Sequence, residues 1–198
     1  MLGQLPQTLK VCNKDYAIRS DFRDILKIIA AYNDKDLSDQ EKVFVCLHRI
    51  FININEMPRD KDTYSEAFKA ATEFMECRLS NDKPNPRVVN WEKDEQLIFP
   101  AINKVAGIEV RTVSYMHWWT FLGYFQSIDR DDLWGFVLTI RQKKAQKKPL
   151  EKHEKEFLAA NRDLCSLEFQ EERETPEDAM QALYKKLLAE SEGGKGNG

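Results

Sequence analysis

The chain has 198 residues, 33 acidic against 30 basic, for a net charge of −3, with 42% hydrophobic and 11% aromatic residues. That is enough apolar material for a sizeable core, and the slightly negative balance gives no global reason to expect nucleic acid or an anionic membrane as a partner. Eight glycines and seven prolines are few for this length, which disfavours a turn-dense all-β protein and favours helices.

Residues 8–18 carry the one clear strand pattern. Thr8 to Cys12 and Tyr16 to Ile18 alternate on either side of the turn-rich link Asn13-Lys14-Asp15, as the arms of a hairpin do. Ser20-Asp21 then offers an N-cap, and Phe22, Ile25, Leu26, Ile28, Ile29 and Tyr32 follow at helical spacing. Ser38 and Glu41 fit the capping box, opening a helix with Val43, Phe44, Leu47, Ile50 and Phe51. Asp62 or Thr63 is expected to start the next helix, through Phe68, Ala71, Phe74 and Met75 to Leu79. The proline-punctuated stretch 81–86 follows as a loop or hinge.

Asn90 is expected to cap a helix with Trp91, Leu97, Ile98, Ala101, Ile102 and Val105, whose acidic first turn (Glu92, Asp94, Glu95) suits the helix dipole. Pro100 inside this pattern predicts a kink or break, and Gly107 a C-terminal stop. Residues 114–128 then pack two adjacent tryptophans and several further aromatics into one segment. At about 100° per residue its large apolar groups run most of the way round, which predicts a central helix wrapped on several sides. Gly123 in its middle predicts the close approach of another backbone. Trp118, Trp119, Leu122 and Phe125, with Trp91 and Trp134, are the expected core, because aromatic side chains bury the most area.

Asp129 to Asp132 turn the chain into a helix with Leu133, Phe136, Val137 and Ile140, ending in the basic run Arg141, Lys143, Lys144, Lys147, Lys148. A further helix after Pro149 carries Phe157, Leu158, Leu164, Leu167 and Phe169. Thr175-Pro176 starts a last one, and residues 193–198 form a glycine-rich tail, read as disordered. The reading is a mainly α fold: a compact multi-helix domain over 1–170 with a small N-terminal β-hairpin, a helical extension over 171–192, and the tail.

Catalytic spacing signatures are missing. There is no phosphate-binding glycine loop, no His-Glu-x-x-His and no Gly-x-Ser-x-Gly. His48, His117 and His153 are too far apart for a local metal cluster, and Cys12, Cys46, Cys77 and Cys165 show neither zinc spacing nor a disulfide framework. The cysteines read as buried thiols in a reducing compartment. No signal peptide and no apolar run of about 20 residues is seen, so the expectation is a soluble intracellular protein without catalytic, metal or cofactor sites. The basic run lacks interleaved aromatics and lies beside Glu151, Glu154 and Glu156. A solvated helix end is the first reading of it, with nucleic acid or a host protein as the alternative partner.

The segment His117-Trp-Trp-Thr-Phe-Leu-Gly-Tyr-Phe125 is similar to a family named for gene product fifteen of tailed phages of Gram-positive hosts. Trp91 to Ile102, Gly107-Ile108, Ile140 to Lys144, Leu150 to Phe157 and Ser20-Asp-Phe-Arg23 extend the resemblance over residues 4–170. It implies a non-enzymatic siphophage tail-assembly chaperone that coats the tape-measure protein, recruits tail-tube subunits and self-associates. Such a protein would act in the host bacterial cytoplasm and be absent from the finished virion. A long helical tape with an apolar stripe would aggregate unless covered, and a helical partner can cover it.

His117 and Tyr124, on the narrow polar stripe of the aromatic segment, are the expected contacts there, with Arg141, Lys143, Lys144, Lys147 and Lys148 as a second candidate surface. Trp118→Ala is expected to unfold the protein, whereas Tyr124→Ala is expected to weaken association first. Parallel thermal melts and a partner-binding assay on the two variants separate these outcomes; equal loss of folding makes the stripe core.

Overall fold

The computed structural model describes residues 3–77 and 88–166. Each stretch forms a compact unit of its own. The fold is mainly α, with eight α-helices and one two-stranded sheet among these residues. The expected loop at 81–86, the extension at 171–192 and the tail lie outside the described residues.

In the first unit β1 (Thr8–Val11) pairs antiparallel with β2 (Lys14–Ala17), Leu9 opposite Tyr16 and Val11 opposite Lys14. The turn is Cys12-Asn13, one residue earlier than the expected link. Both residues have positive φ, 47° and 64°, as the two-residue mirror-image turn that matches strand twist requires. Asn accepts this region readily and Cys does not; the Glu66 carboxylate holds Cys12 there by accepting its N–H at 2.9 Å. The period of two turns Leu9, Val11 and Tyr16 inward, all buried.

α1 (Phe22–Asn33) is capped by Asp21, which accepts from the Arg23 N–H. α2 (Asp39–Ile50) starts with the expected capping box between Ser38 and Glu41. α3 (Lys61–Met75) starts earlier than expected, because Asp60 is the cap and Thr63 is its partner: the Thr63 N–H and hydroxyl both donate to the Asp60 carboxylate at 2.8 Å. The C-terminal end of α2 is closed by Arg19, whose Nη1 donates to the carbonyls of His48, Arg49 and Phe51, three acceptors near the helix end, where carbonyls lack intrahelical partners. The core of the unit joins Phe22, Ile25 and Ile28 of α1 with Cys46, Leu47 and Ile50 of α2 and Ala67, Ala71 and Phe74 of α3. Cys46 lies in it, and burial pushes its thiol up to about 12. Cys165, in the second unit, is also buried, but Cys12 is exposed and Cys77 half-buried, so the expectation of four buried thiols fails at the hairpin turn and the end of α3.

In the second unit the side chain of Asn90 accepts from the N–H groups of Glu92 and Lys93. It therefore organises a turn, and α4 (Glu95–Ala106) starts only after Asp94. Of the kink or break expected at Pro100, the break is not found: the helix runs on through it. The hydrogen bond that proline cannot make would have reached the carbonyl of Gln96; Gln96 and Pro100 both lie on the exposed side. Gly107, at φ 70°, ends α4 as its left-handed cap.

α5 (Trp118–Gln126) is shorter than the expected segment because His117, extended at ψ 139°, is its N-cap and accepts the Trp119 N–H on Nδ1 at 3.0 Å. It is also less wrapped than expected. Trp118 and Phe121 are fully buried, whereas Trp119, Leu122 and Phe125 are half-buried and Gly123 is exposed. Phe121 is the centre of the aromatic cluster, with ring centroids 5.9 Å from Trp91, 5.8 Å from Phe99 and 5.9 Å from Trp118. Phe125 closes the cluster against Trp91 at 4.8 Å and Trp134 at 6.4 Å.

α6 (Leu133–Ala145) is capped by Asp132, which accepts from the Trp134 N–H. The expected single helix beyond Pro149 is divided at Asn161 into α7 (Lys152–Ala160) and α8 (Arg162–Cys165). Among the described residues no helix is long and apolar enough to cross a membrane.

The close backbone approach expected at Gly123 is found elsewhere. A Cβ at Gly123 would meet nothing within 4 Å, whereas one at Gly135 would lie 2.0 Å from the carbonyl oxygen of Asp129 and 2.9 Å from the Cα of Arg130. Both neighbours are backbone, so α6 or the 129–132 turn must move to admit a side chain. Gly135→Ala should destabilise by about 2 kcal/mol or more, the upper range of overpacking. Gly123→Ala should stabilise by about 0.5–1 kcal/mol through helix propensity. Urea unfolding midpoints of the two variants check both signs.

Candidate functional site

The second unit contains a buried ion pair, and its construction bears on the basic run. Arg141 and Asp94 are each 2–3% exposed. Nη1 and Nη2 of Arg141 donate to the two carboxylate oxygens of Asp94 at 2.6 and 2.8 Å, Nε and Nη2 to the Leu164 carbonyl, and Nη1 to the Val88 carbonyl. A guanidinium has five N–H donors, and all five are satisfied. Its plane also lies against the Trp134 ring, 5.3 Å from the centroid.

Arg141 is therefore withdrawn from the expected basic surface, because its donors point into the unit. Lys143 is also engaged: its ammonium donates to Glu154 at 2.6 Å and lies 3.7 Å from Glu151. That contact holds the Glu154 carboxyl below its usual range and the lysine above its own. The second oxygen of Glu154 accepts the Glu151 N–H at the start of α7, so one carboxylate orders the helix start and neutralises the lysine. Lys144, Lys147 and Lys148 stay exposed. Lys147 has φ 54°, and the N–H groups of Lys147 and Lys148 bond back to the carbonyls of Lys144 and Lys143, the left-handed end that closes a helix.

His117 does not present its imidazole to a partner. It is buried, and its Nδ1 caps α5. Tyr124 is half-buried on the same helix. The other histidines stack on aromatic rings, His48 on Phe44 at 3.9 Å and His153 on Phe136 at 5.7 Å. No group of three or more His, Cys, Asp or Glu side chains among the described residues is placed to hold a metal ion.

Two surfaces emerge that were not read from the residues. One is apolar. The Lys104 ammonium reaches Asp132 at 3.3 Å, and three large apolar side chains near these residues in sequence are exposed: Val105 at 37%, Ile108 at 49% and Leu133 at 49%. The other is a groove of about 470 Å³ lined by Lys144, Lys155, Leu158, Ala159, Arg162 and Ser166. Helical periodicity assigned Val105, Leu133 and Leu158 to apolar faces but could not say which of those faces another element covers. The partner of Arg141 was likewise hidden, since Asp94 suits a helix N-terminus as well as an ion pair.

Asp94→Ala should destabilise by about 3–5 kcal/mol, the cost of leaving a buried guanidinium unpaired, while Lys148→Ala leaves the unfolding midpoint unchanged. Chemical denaturation followed by tryptophan fluorescence tests this contrast.

Comparison with known families gives one match: a family model described as Bacteriophage Gp15 protein aligns with residues 1–167. No curated protein and no solved structure matches the chain. The match spans the hairpin, the eight helices of the described residues and the aromatic cluster, and on that extent the chain belongs to the bacteriophage Gp15 protein family.

Proposed function

We propose that this phage protein is a non-enzymatic tail-assembly chaperone of a siphophage that infects a Gram-positive host, binding the tape-measure protein while the tail tube grows around it. The observation that carries the reading is the family match over residues 1–167. The apolar surface at Val105, Ile108 and Leu133 supports it. Exposed apolar side chains held on two rigid helix ends suit the stripe of a long amphipathic helix, which must be covered before assembly. On this reading the protein self-associates along the tape, works in the host cytoplasm and leaves before the virion is complete. The alternative, a host-protein or nucleic-acid surface over residues 141–148, is weakened by the withdrawal of Arg141 and Lys143 into internal ion pairs.

Co-expression with the tape-measure protein of the same phage should yield a soluble complex. The double substitution Val105→Glu and Leu133→Glu should reduce its recovery at least about tenfold without changing the circular dichroism of the free protein. Absence of a complex, together with no gain in tape-measure solubility, overturns the proposal.

A further inference from the structure

The groove between α6, α7 and α8 is distinct from the apolar surface above. Lys155, Leu158 and Ala159 share one face of α7 at i, i+3 and i+4, Arg162 opens α8 after the break at Asn161, and Lys144 of α6 and Ser166 form the rest of the lining. Leu158 is the half-buried floor, and Lys144, Lys155 and Arg162 are exposed around it. Glu151 and Glu154 are engaged by Lys143, and the exposed Glu156 and Asp163 beside Lys155 and Arg162 make no ion pair with them within 4 Å. Among the described residues none of the three groove cations has an ion-pair partner within 4 Å. A fourth cation lies at the rim, where the Lys93 ammonium donates to the Ser166 carbonyl at 3.1 Å.

We infer that this groove is a docking site for an acidic amphipathic helix of a partner protein, its glutamates or aspartates set against Lys144, Lys155 and Arg162 and its apolar edge on Leu158 and Ala159. An apolar floor ringed by cations selects for that chemistry. A nucleic acid is less well matched. The lining has no aromatic ring for a base to stack on, and three lining cations with Lys93 at the rim make too short a cationic track to follow a phosphate backbone. The assignment goes beyond the tape-measure reading and holds for any partner of this chemistry.

The test uses the full chain and a fluorescein-labelled synthetic peptide of three Leu-Glu-Glu-Leu-Ala-Glu-Ala repeats, followed by anisotropy at low and high salt. Binding is expected at low salt, falling as salt rises. It should weaken at least about tenfold in the Lys155→Glu, Arg162→Glu double variant and, independently, in Leu158→Ser. The Lys147→Gln, Lys148→Gln variant, outside the groove, should bind as the parent does, and circular dichroism should show every variant folded. Absence of binding overturns the inference, as does equal loss in the Lys147, Lys148 variant. Tighter binding of a single-stranded oligonucleotide than of the peptide overturns it in favour of a polyanion surface. Binding that appears only after Glu168, Glu171, Glu172 and Glu174 are changed to Gln overturns a partner in trans and assigns the groove to the chain's own acidic run.

Discussion

The second unit depends on one guanidinium. Arg141 enters from the C-terminal half of α6 and gathers four separate places in the chain: its own helix, the turn at Asp94, the segment at Val88 and α8 at Leu164. Two ions taken out of water lose several kcal/mol of hydration each, and an apolar pair of the same size can be equally stable. What an apolar pair cannot supply is direction. The fork of five donors is complete only when both carboxylate oxygens and both carbonyls are in place, so the pair selects one arrangement of α6 against α4 and α8. The aromatic cluster supplies the bulk of the buried area and tolerates more freedom of angle, since its rings meet tilted, stacked and edge-on.

Features governed by neighbours in sequence were legible in advance. Ser38 with Glu41, Gly107 after α4 and Asp132 before α6 act through bonds to residues two to four positions away, and no tertiary knowledge is needed to place them. The hairpin was legible for the same reason, with its turn displaced by one residue because Cys12 occupies a conformation that its residue type disfavours. His117 was misread because an imidazole is an uncommon helix cap, and its polarity on an aromatic helix suggested a contact with something outside. Arg141 was misread because it opens a stretch with five cations in eight residues, and its partner is 47 positions away. Pro100 shows the reverse case: a strong local signal for a break was overridden where both Gln96 and Pro100 lie on the exposed side of α4.

The charges sort by what they do for the fold. Arg19 closes α2, Arg141 and Asp94 set the second unit, and Lys143 and Glu154 tie α6 to α7. The charged residues that line the Leu158 groove are all cationic, in a protein whose overall charge is slightly negative. Local sign, not net charge, is what a docking segment meets within a Debye length of the surface.

Gly135 links this architecture to the way such a chain can vary. Its α-carbon lies so close to the backbone of Asp129 and Arg130 that the turn at 129–132 and the first full turn of α6 share one space. Any side chain at this position forces the preceding turn to be rebuilt, or disturbs the seat of Trp134 and with it one wall of the aromatic cluster. Residues 129–135 therefore behave as one steric block. Gly123, nine positions after the start of the aromatic segment and equally lacking a side chain, meets nothing within 4 Å and carries no such linkage.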